Sequence, residues 1–295
     1  QYRQVTEQHI LPVLGQFKLR ELQAAQIQQL YNLLVKAGKG LRTVRYAHQV
    51  LHSSLEHAVK LGVIGRNPCK AAIPPKPKTK EMKFLDENQV QHFLIAAQTR
   101  DDRFYALYHL AVSTGMRMGE LLGLKWEDLD KEQAALHIQR QLTRLHGIGL
   151  RLMPPKTKAA TRRIDLGQQS LEVLKQHQER QFQDMATAGD RWEENDLIFA
   201  STIGTFINPS NLRREFKPLL KKAGLPQIRF HDLRHTAASL MLNNGVPVIV
   251  VSRRLGHAQP SITLDVYAHL IPSKQQEAAA LMDELLTPIK VEIPT

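Results

Sequence analysis

His231-Asp232-Leu233-Arg234-His235 is followed in this chain by Leu255-Gly256-His257 and then by a lone tyrosine in Asp265-Val266-Tyr267-Ala268-His269. Upstream, Thr114-Gly115-Met116-Arg117-Met118-Gly119-Glu120 supplies another arginine. Together these residue types suit the grip and attack of a phosphodiester. Displacement at phosphorus builds negative charge on the non-bridging oxygens, and arginine meets that charge with a fixed fork of donors while keeping its own. Arg117 and Arg234 are the candidates. A tyrosine hydroxyl is a poor nucleophile near neutrality, because its pKa is about 10, so Tyr267 needs a neighbouring base and a positive field. His231 and the two arginines offer both. The departing 5′ oxygen needs a proton, which a lysine of lowered pKa in a positive, partly dry site can give. Lys156 fits that role.

Composition sets the bounds around this cluster. A length of 295 residues is enough for two domains, each with a core of its own. No apolar run approaches the ~20 residues a membrane span needs, and the first residues do not read as a signal peptide. A single cysteine, Cys69, excludes internal disulfides and multi-cysteine metal sites and is compatible with a reducing cytoplasm. The start at Gln1 reads as trimming at the N-terminus. The net charge of +12 is uneven: residues 1–83 hold 14 Lys/Arg against 4 Asp/Glu, whereas the rest of the chain holds 26 against 24. The basic quarter therefore reads as a module with its own partner. Nucleic acid is the commonest partner for such a surface, since phosphate contacts release counterions; a merely soluble basic domain is the bland alternative.

Periodicity predicts a small all-helical unit over residues 1–72. Leu19, Leu22, Ile27, Leu30, Leu33 and Leu34 recur at roughly helical spacing until Gly38 and Gly40 break it. In the next helix Val44, Ala47, Leu51, Leu55 and Ala58 form the apolar stripe, and Arg42, Arg45, His48 and His52 lie on or beside the opposite face as a DNA-facing edge. Residues 73–83 read as a basic Pro/Lys-rich linker whose Lys76, Lys78 and Lys80 could follow a phosphate backbone. A second unit, 84–295, opens with a capping box at Asp86 and Gln89. Arg117 falls at the start of a short helix, which would put a helix N-terminus behind a bound anion. Alternation over 134–140, 149–154 and 161–166 predicts a three-stranded antiparallel sheet with Lys156 in its last turn. Helices return over 169–182, 208–222, 231–243, 247–254, 260–269 and 274–286, giving a mainly α chain with a small antiparallel sheet, an α+β class.

Each candidate also has a plainer reading. Arg117 could be a surface arginine, Glu120 a helix-surface carboxylate rather than the group that orients Arg117, and Lys156 a solvated hairpin lysine with Lys158 as its equal. His257 could be a helix-terminal histidine interacting with the dipole, and Tyr267 a core tyrosine. His231-x-x-x-His235 could hold zinc, with Asp232 in the place of a metalloprotease glutamate. Against zinc stand Asp for Glu, an arginine on the same face and no obvious third ligand.

The boxes around Arg117, His231/Arg234, His257 and Tyr267 resemble those of the tyrosine recombinases, the phage integrase family. Gly119-Glu120-Leu121-Leu122 and Leu124-Lys125-Trp126-Glu127-Asp128 extend the first box, and Pro155-Lys156-Thr157-Lys158 with Arg162, Arg163 and Ile164 resembles the family hairpin and selects Lys156. His9-Ile-Leu-Pro-Val-Leu-Gly15 and Arg66-Asn67-Pro68 resemble the core-binding domain of mobile-element integrases, without the further N-terminal arm-binding domain many of them carry. The resemblance implies a helical core-binding domain (1–72), a linker (73–83) and a catalytic domain (84–295) ending in a tail, 273–295. It implies a site-specific recombinase that needs no metal or cofactor. Tyr267 would form a 3′-phosphotyrosyl link and free a 5′-hydroxyl, Arg117, Arg234 and His257 would stabilise the transition state, Lys156 would protonate the leaving oxygen, and His231 would take the tyrosine proton. The implied partners are double-stranded attachment or core-site DNA, three further copies joined through the tail, and accessory DNA-bending or directionality proteins, in a bacterial cytoplasm at the nucleoid. A chromosome-dimer resolvase of the same chemistry, a fold that binds DNA without catalysis, and the zinc hydrolase on His231 and His235 are the alternatives.

Overall fold

The computed structural model describes residues 2–77, 83–100, 102–155, 157–267 and 275–286. Lys78, Lys80 and Lys156 lie outside them. The chain divides into two compact units, residues 1–81 and 82–295. No helix among the described residues is long and apolar enough to cross a membrane.

The first unit is helical. α1 (Tyr2–Val5), a π-helical stretch (Thr6–Ile10) and α2 (Leu11–Leu14) run on directly, followed by α3 (Ala24–Lys36) and α4 (Leu41–Lys60). A capping box opens α3: Gln23 N–H donates to Gln26 Oε1 at 2.7 Å, fixing one of the donors a helix start leaves orphaned. Ile27, Leu30, Tyr31 and Leu34 then bury one face. Leu19 and Leu33 of the predicted stripe are exposed instead, because Leu19 precedes α3 and Leu33 lies roughly a third of a turn off the buried face. The α4 stripe is buried as its spacing predicts. Asn67 ties down the chain after α4, donating to the His52 carbonyl at 3.1 Å and to Glu56 at 3.0 Å and accepting from the Cys69 N–H at 2.9 Å.

In the second unit, α5 (Glu87–Thr99) begins with the predicted capping box, Gln89 N–H donating to Asp86 Oδ1 at 2.8 Å and Asp86 N–H to Gln89 Oε1 at 3.1 Å. α6 (Tyr105–Thr114) is buried on nearly every side; such all-round apolar patterning marks a central helix. The short α7 (Met118–Leu121) leads into the strands. These depart from the single sheet expected from alternation. β1 (Leu129–Asp130), β2 (Ala135–Ile138) and β5 (Arg162–Asp165) form one antiparallel sheet in the order β1-β2-β5, while β3 (Gln141–Leu145) and β4 (Gly149–Met153) form a separate hairpin. Residues 149–153 pair with a strand that the alternation does not single out, Leu142 opposite Leu152. Arg140 breaks the run between β2 and β3: its guanidinium is drawn back to Asp128 at 2.6 Å and Glu127 at 2.8 Å, so the chain turns where alternation alone continues a strand. Helices α8 (Gln168–Ala188), α9 (Pro209–Lys222), α10 (Asp232–Asn243), α11 (Val248–Leu255), α12 (Pro260–Tyr267) and α13 (Gln275–Leu286) complete the unit. α10 packs on α6, and Thr236 Oγ1 accepts from the Leu85 N–H at 3.1 Å, joining the unit's first residues to the helix that bears Arg234.

Candidate active site

Arg234 lies in the first turn of α10 and is 4% exposed. Its Nη1 donates to the carbonyls of Gly115 at 2.9 Å and Leu255 at 2.7 Å. Gly115 caps α6 and Leu255 ends α11, so a buried cation is anchored on the negative ends of two helices. Its Nη2 is also buried and has no hydrogen-bond partner among the described residues. Burial first, and then the charge of Arg117, pulls the Arg234 pKa down to about 9. The site carries more positive charge than its own groups compensate, and a bound anion relieves that excess.

Arg117 reaches the same place from the N-cap of α7, with its side chain 38% exposed. Its Nη1 donates to Glu120 Oε1 at 2.7 Å and its Nη2 to the Gly256 carbonyl at 3.4 Å. The other Glu120 oxygen accepts the Arg117 N–H at 3.0 Å and Arg162 Nη2 at 2.9 Å. This corrects the expectation of an open helix N-terminus behind Arg117, for Glu120 stands at the third position of α7 and closes a capping box on it. Burial pushes the Glu120 pKa up, but the hydrogen bond and charge of Arg162, joined by Arg117, more than offset it and leave it below the ordinary glutamate value. Its contribution to stability is therefore complete above that ordinary value and fades as pH falls through the lower folded-state value. Arg162, on β5, also donates to the carbonyls of Arg254 at 2.7 Å and Ala160 at 2.9 Å, so one side chain fastens both the end of the lysine-bearing loop and Glu120.

Two glycines allow the helix ends to converge on the arginines. Gly115 (φ +67°) and Gly256 (φ +71°) end α6 and α11 in the left-handed conformation, and a Cβ on Gly256 would meet Arg162 Nη1 at 2.8 Å and the Ala159 carbonyl at 3.1 Å. Gly256→Ala is expected to cost about 1–2 kcal/mol from backbone conformation alone. The check is a lower denaturant midpoint at unchanged slope; an unchanged midpoint would count against this account of the turn.

Tyr267 ends α12 and is 2% exposed, packed with Ala238, Leu242, Val251 and Leu255. Burial raises its pKa to about 12, with Arg234 partly offsetting the rise. Its hydroxyl lies 2.6 Å from His235 Nδ1. The imidazole in contact with the Tyr267 hydroxyl is that of His235, not that of His231, to which the sequence reading gives the tyrosine proton. His231 is the exposed N-cap of α10, and the residue one turn further along carries the contact; the two imidazoles meet edge-on, 5.4 Å between centroids. His257 follows the left-handed Gly256, and its Nδ1 is 2.8 Å from Thr263 Oγ1. Thr263 is fully buried and stands one turn before Tyr267 on α12. Burial, then Arg234 and Arg117, lowers the His257 pKa to about 4, so the ring is neutral at pH 7. If Nδ1 accepts from the Thr263 hydroxyl, Nε2 carries the hydrogen and can donate it to an anion.

Asp232 belongs to Arg229, accepting from its N–H at 2.7 Å, from Nη2 at 2.6 Å and from Nε at 3.0 Å. That leaves it unsuited to the acid–base role of a metalloprotease glutamate. Among the described residues no three His, Cys, Asp or Glu side chains are placed to share a metal ion.

The structure thus gathers Arg117, Glu120, His231, Arg234, His257 and Tyr267. Sequence reasoning gives Arg162 no contact of its own beyond the hairpin resemblance, gives His235 no role toward Tyr267, and does not single out Thr263. Thr263 had one faint signal, its spacing of four from Tyr267, while His235 was read only as a metal ligand. In the first unit, Arg42 and Arg45 are exposed on α4 and Lys76 is exposed after it. His48 is turned inward, its Nδ1 2.6 Å from the Tyr31 hydroxyl and its ring 5.7 Å from that of His52.

The model of the phage integrase family matches residues 83–274, and that of the phage integrase N-terminal SAM-like domain matches residues 1–35. The chain is similar to the tyrosine recombinase XerC-like protein of Caldanaerobacter subterraneus subsp. tengcongensis, at 34% identity over 91% of this chain and 72% of the relative. It is also similar to the ICEBs1 integrase of Bacillus subtilis, at 29% identity over 96% of this chain and 76% of the relative. Among solved structures, a transposon integrase in complex with transposon right-end DNA shares the fold, with a TM-score of 0.79 at 20% identity over 97% of this chain and 91% of the other.

Proposed function

The chain belongs to the phage integrase family, the tyrosine recombinases, and from that premise we propose that it cuts and rejoins duplex DNA at specific sites to integrate or excise a mobile element. One observation carries the reading: a buried guanidinium, Arg234, held on two helix ends with one Nη unpartnered, beside the half-exposed Arg117 and near a buried tyrosine. A scissile phosphate matches such a site, because it pairs with the leftover guanidinium nitrogen and gives the held tyrosine a group to attack. Tyr267 Oη bonds to phosphorus, the P–O5′ bond breaks, and a 3′-phosphotyrosyl link remains with a free 5′-hydroxyl. Arg117, Arg234 and His257 meet the charge that grows on the non-bridging oxygens. Lys156 gives the leaving O5′ its proton, with Lys158 as the neighbour to separate from it by mutation. The His231–His235 pair carries the tyrosine proton away. Attack by a partner strand's 5′-hydroxyl on the phosphotyrosine then restores the DNA backbone and the phenol, so the bond energy is conserved. Covalent trapping on nicked DNA tests this reading.

Arg42, Arg45, His52, Lys76, Lys78 and Lys80 are proposed as phosphate contacts of the basic first unit, with His48 as a support behind them. For assembly, a tetramer on two DNA sites joined through the tail is favoured by α13, whose Met282, Leu285 and Leu286 are all exposed, a patterning that leaves apolar surface for a neighbouring copy. Removing residues after 272 is expected to reduce the assembled species on DNA in light scattering; undiminished assembly would overturn the tail's role.

A further inference from the structure

The contact on the nucleophile carries an inference that deepens the strand-transfer reading and rests on it. We propose that His235 is the residue that positions Tyr267 and accepts its proton as the phosphate is attacked. Three observations support it. The Tyr267 hydroxyl lies 2.6 Å from His235 Nδ1, which is a strong hydrogen-bond distance. The ring packs among Ala238, Leu242, Val251 and Leu255, and among the described residues no other side chain is hydrogen-bonded to its hydroxyl. His231, the alternative acceptor, is exposed at the helix start and touches His235 edge-on rather than Tyr267.

The protonation states agree with this arrangement. Burial raises Tyr267 and lowers His235, so the phenol is neutral and donates while the imidazole is neutral and accepts. The groups acting on His235 are Asp232, Arg229 and Arg234 by charge, His231 by ring contact and Tyr267 by hydrogen bond, with His257 sensing it in turn. Burial together with Arg229 and Arg234 outweighs Asp232 and holds the ring unprotonated at neutral pH. When phosphorus is attacked, the proton moves from Oη to Nδ1, and the partly exposed imidazolium passes its Nε2 proton to solvent.

The experiment uses the full chain and nicked duplexes captured covalently by the wild-type protein from a library with a randomised core. Failure of the wild type to form any adduct sinks the recombinase reading itself; the His235 proposal is judged only after that adduct is seen. Single-turnover adduct formation is then followed from pH 5 to 8.5 for the wild type, His235→Leu, His235→Asn and His231→Leu, and noncovalent DNA binding is followed in a Tyr267→Phe background. The expected result is a wild-type rate that falls on the acid side as His235 takes up a proton, a loss of roughly 10²-fold in His235→Leu, and disappearance of that acid limb with DNA binding unchanged. His235→Asn keeps an acceptor near Nδ1 but no base, so it is expected to recover only part of the rate and no limb; it also decides the matter if the leucine variant does not fold. The proposal is overturned if either His235 variant cleaves at the wild-type rate, or if the acid limb survives in them and vanishes in His231→Leu.

Discussion

Tyr267→Phe is expected to abolish the covalent protein–DNA adduct while leaving the fold and noncovalent DNA binding intact. The change removes one oxygen, and the ring stays in the cluster of Ala238, Leu242, Val251 and Leu255. Among the described residues its one hydrogen-bond contact is with His235. Losing a hydrogen bond of this kind typically costs about 1 kcal/mol, and His235, being partly exposed, can turn to water for a replacement. Stability should therefore move little. The reaction has no substitute, because Tyr267 is the one phenol within the arginine site, and its oxygen forms the bond to phosphorus in the proposed step. The measurement is a denaturing gel after incubation with a nicked suicide duplex, paired with a band-shift assay at matched salt, since phosphate-driven affinity varies steeply with salt. Retention of the adduct by Tyr267→Phe would remove the nucleophile assignment and with it the proposed chemistry.

Much of this site can be read from the chain because its residues combine a rare chemistry with local spacing. Arg117 and Glu120 are three apart at a helix start, and such a pair closes on itself by backbone geometry alone; the orienting role given to Glu120 needed no tertiary information. Pro260 at the first turn of α12 likewise separates Tyr267 from His257 by local rules. What could not be read are contacts joining distant segments. Arg162 lies 42 residues from Glu120 and 92 from Arg254, and nothing in Arg162-Arg163-Ile164 distinguishes the inward arginine from its exposed neighbour except the pleat, whose phase depends on strand pairing. The strand pairing is equally non-local, and Arg140, between β2 and β3, is held by two acids twelve and thirteen residues earlier. His235 was hidden for a different reason. On α10 it shares a face with His231, so spacing alone offered a histidine pair but not which of the two Tyr267 would meet; that depends on where the helix begins and where α12 returns.

Arg234→Lys is expected to lower the adduct-forming rate by roughly 10²–10³-fold, the usual effect of removing one preorganised donor from a site of developing negative charge, with noncovalent DNA affinity changed only a few-fold. The argument turns on geometry, because the formal charge is kept. In the structure the guanidinium divides its work: Nη1 serves the Gly115 and Leu255 carbonyls at 2.9 and 2.7 Å, and Nη2 is left over. A lysine ammonium has three donors on one nitrogen and lacks the planar fork. Placed to satisfy the two helix ends, it has no second nitrogen to present to a phosphate; placed toward the phosphate, it leaves two buried carbonyls without a partner, each such loss costing about 1–3 kcal/mol. Arg234→Ala incurs the second loss in any position and should show it as lower thermal stability in addition to the slow rate. Comparing the two variants separates the roles, since both should lose rate while alanine also loses stability. A lysine variant that cleaves as fast as the wild type would mean that the leftover Nη is not what meets the transition state, and the stabilisation would then fall to His257 and to Arg117, whose side chain solvent already reaches.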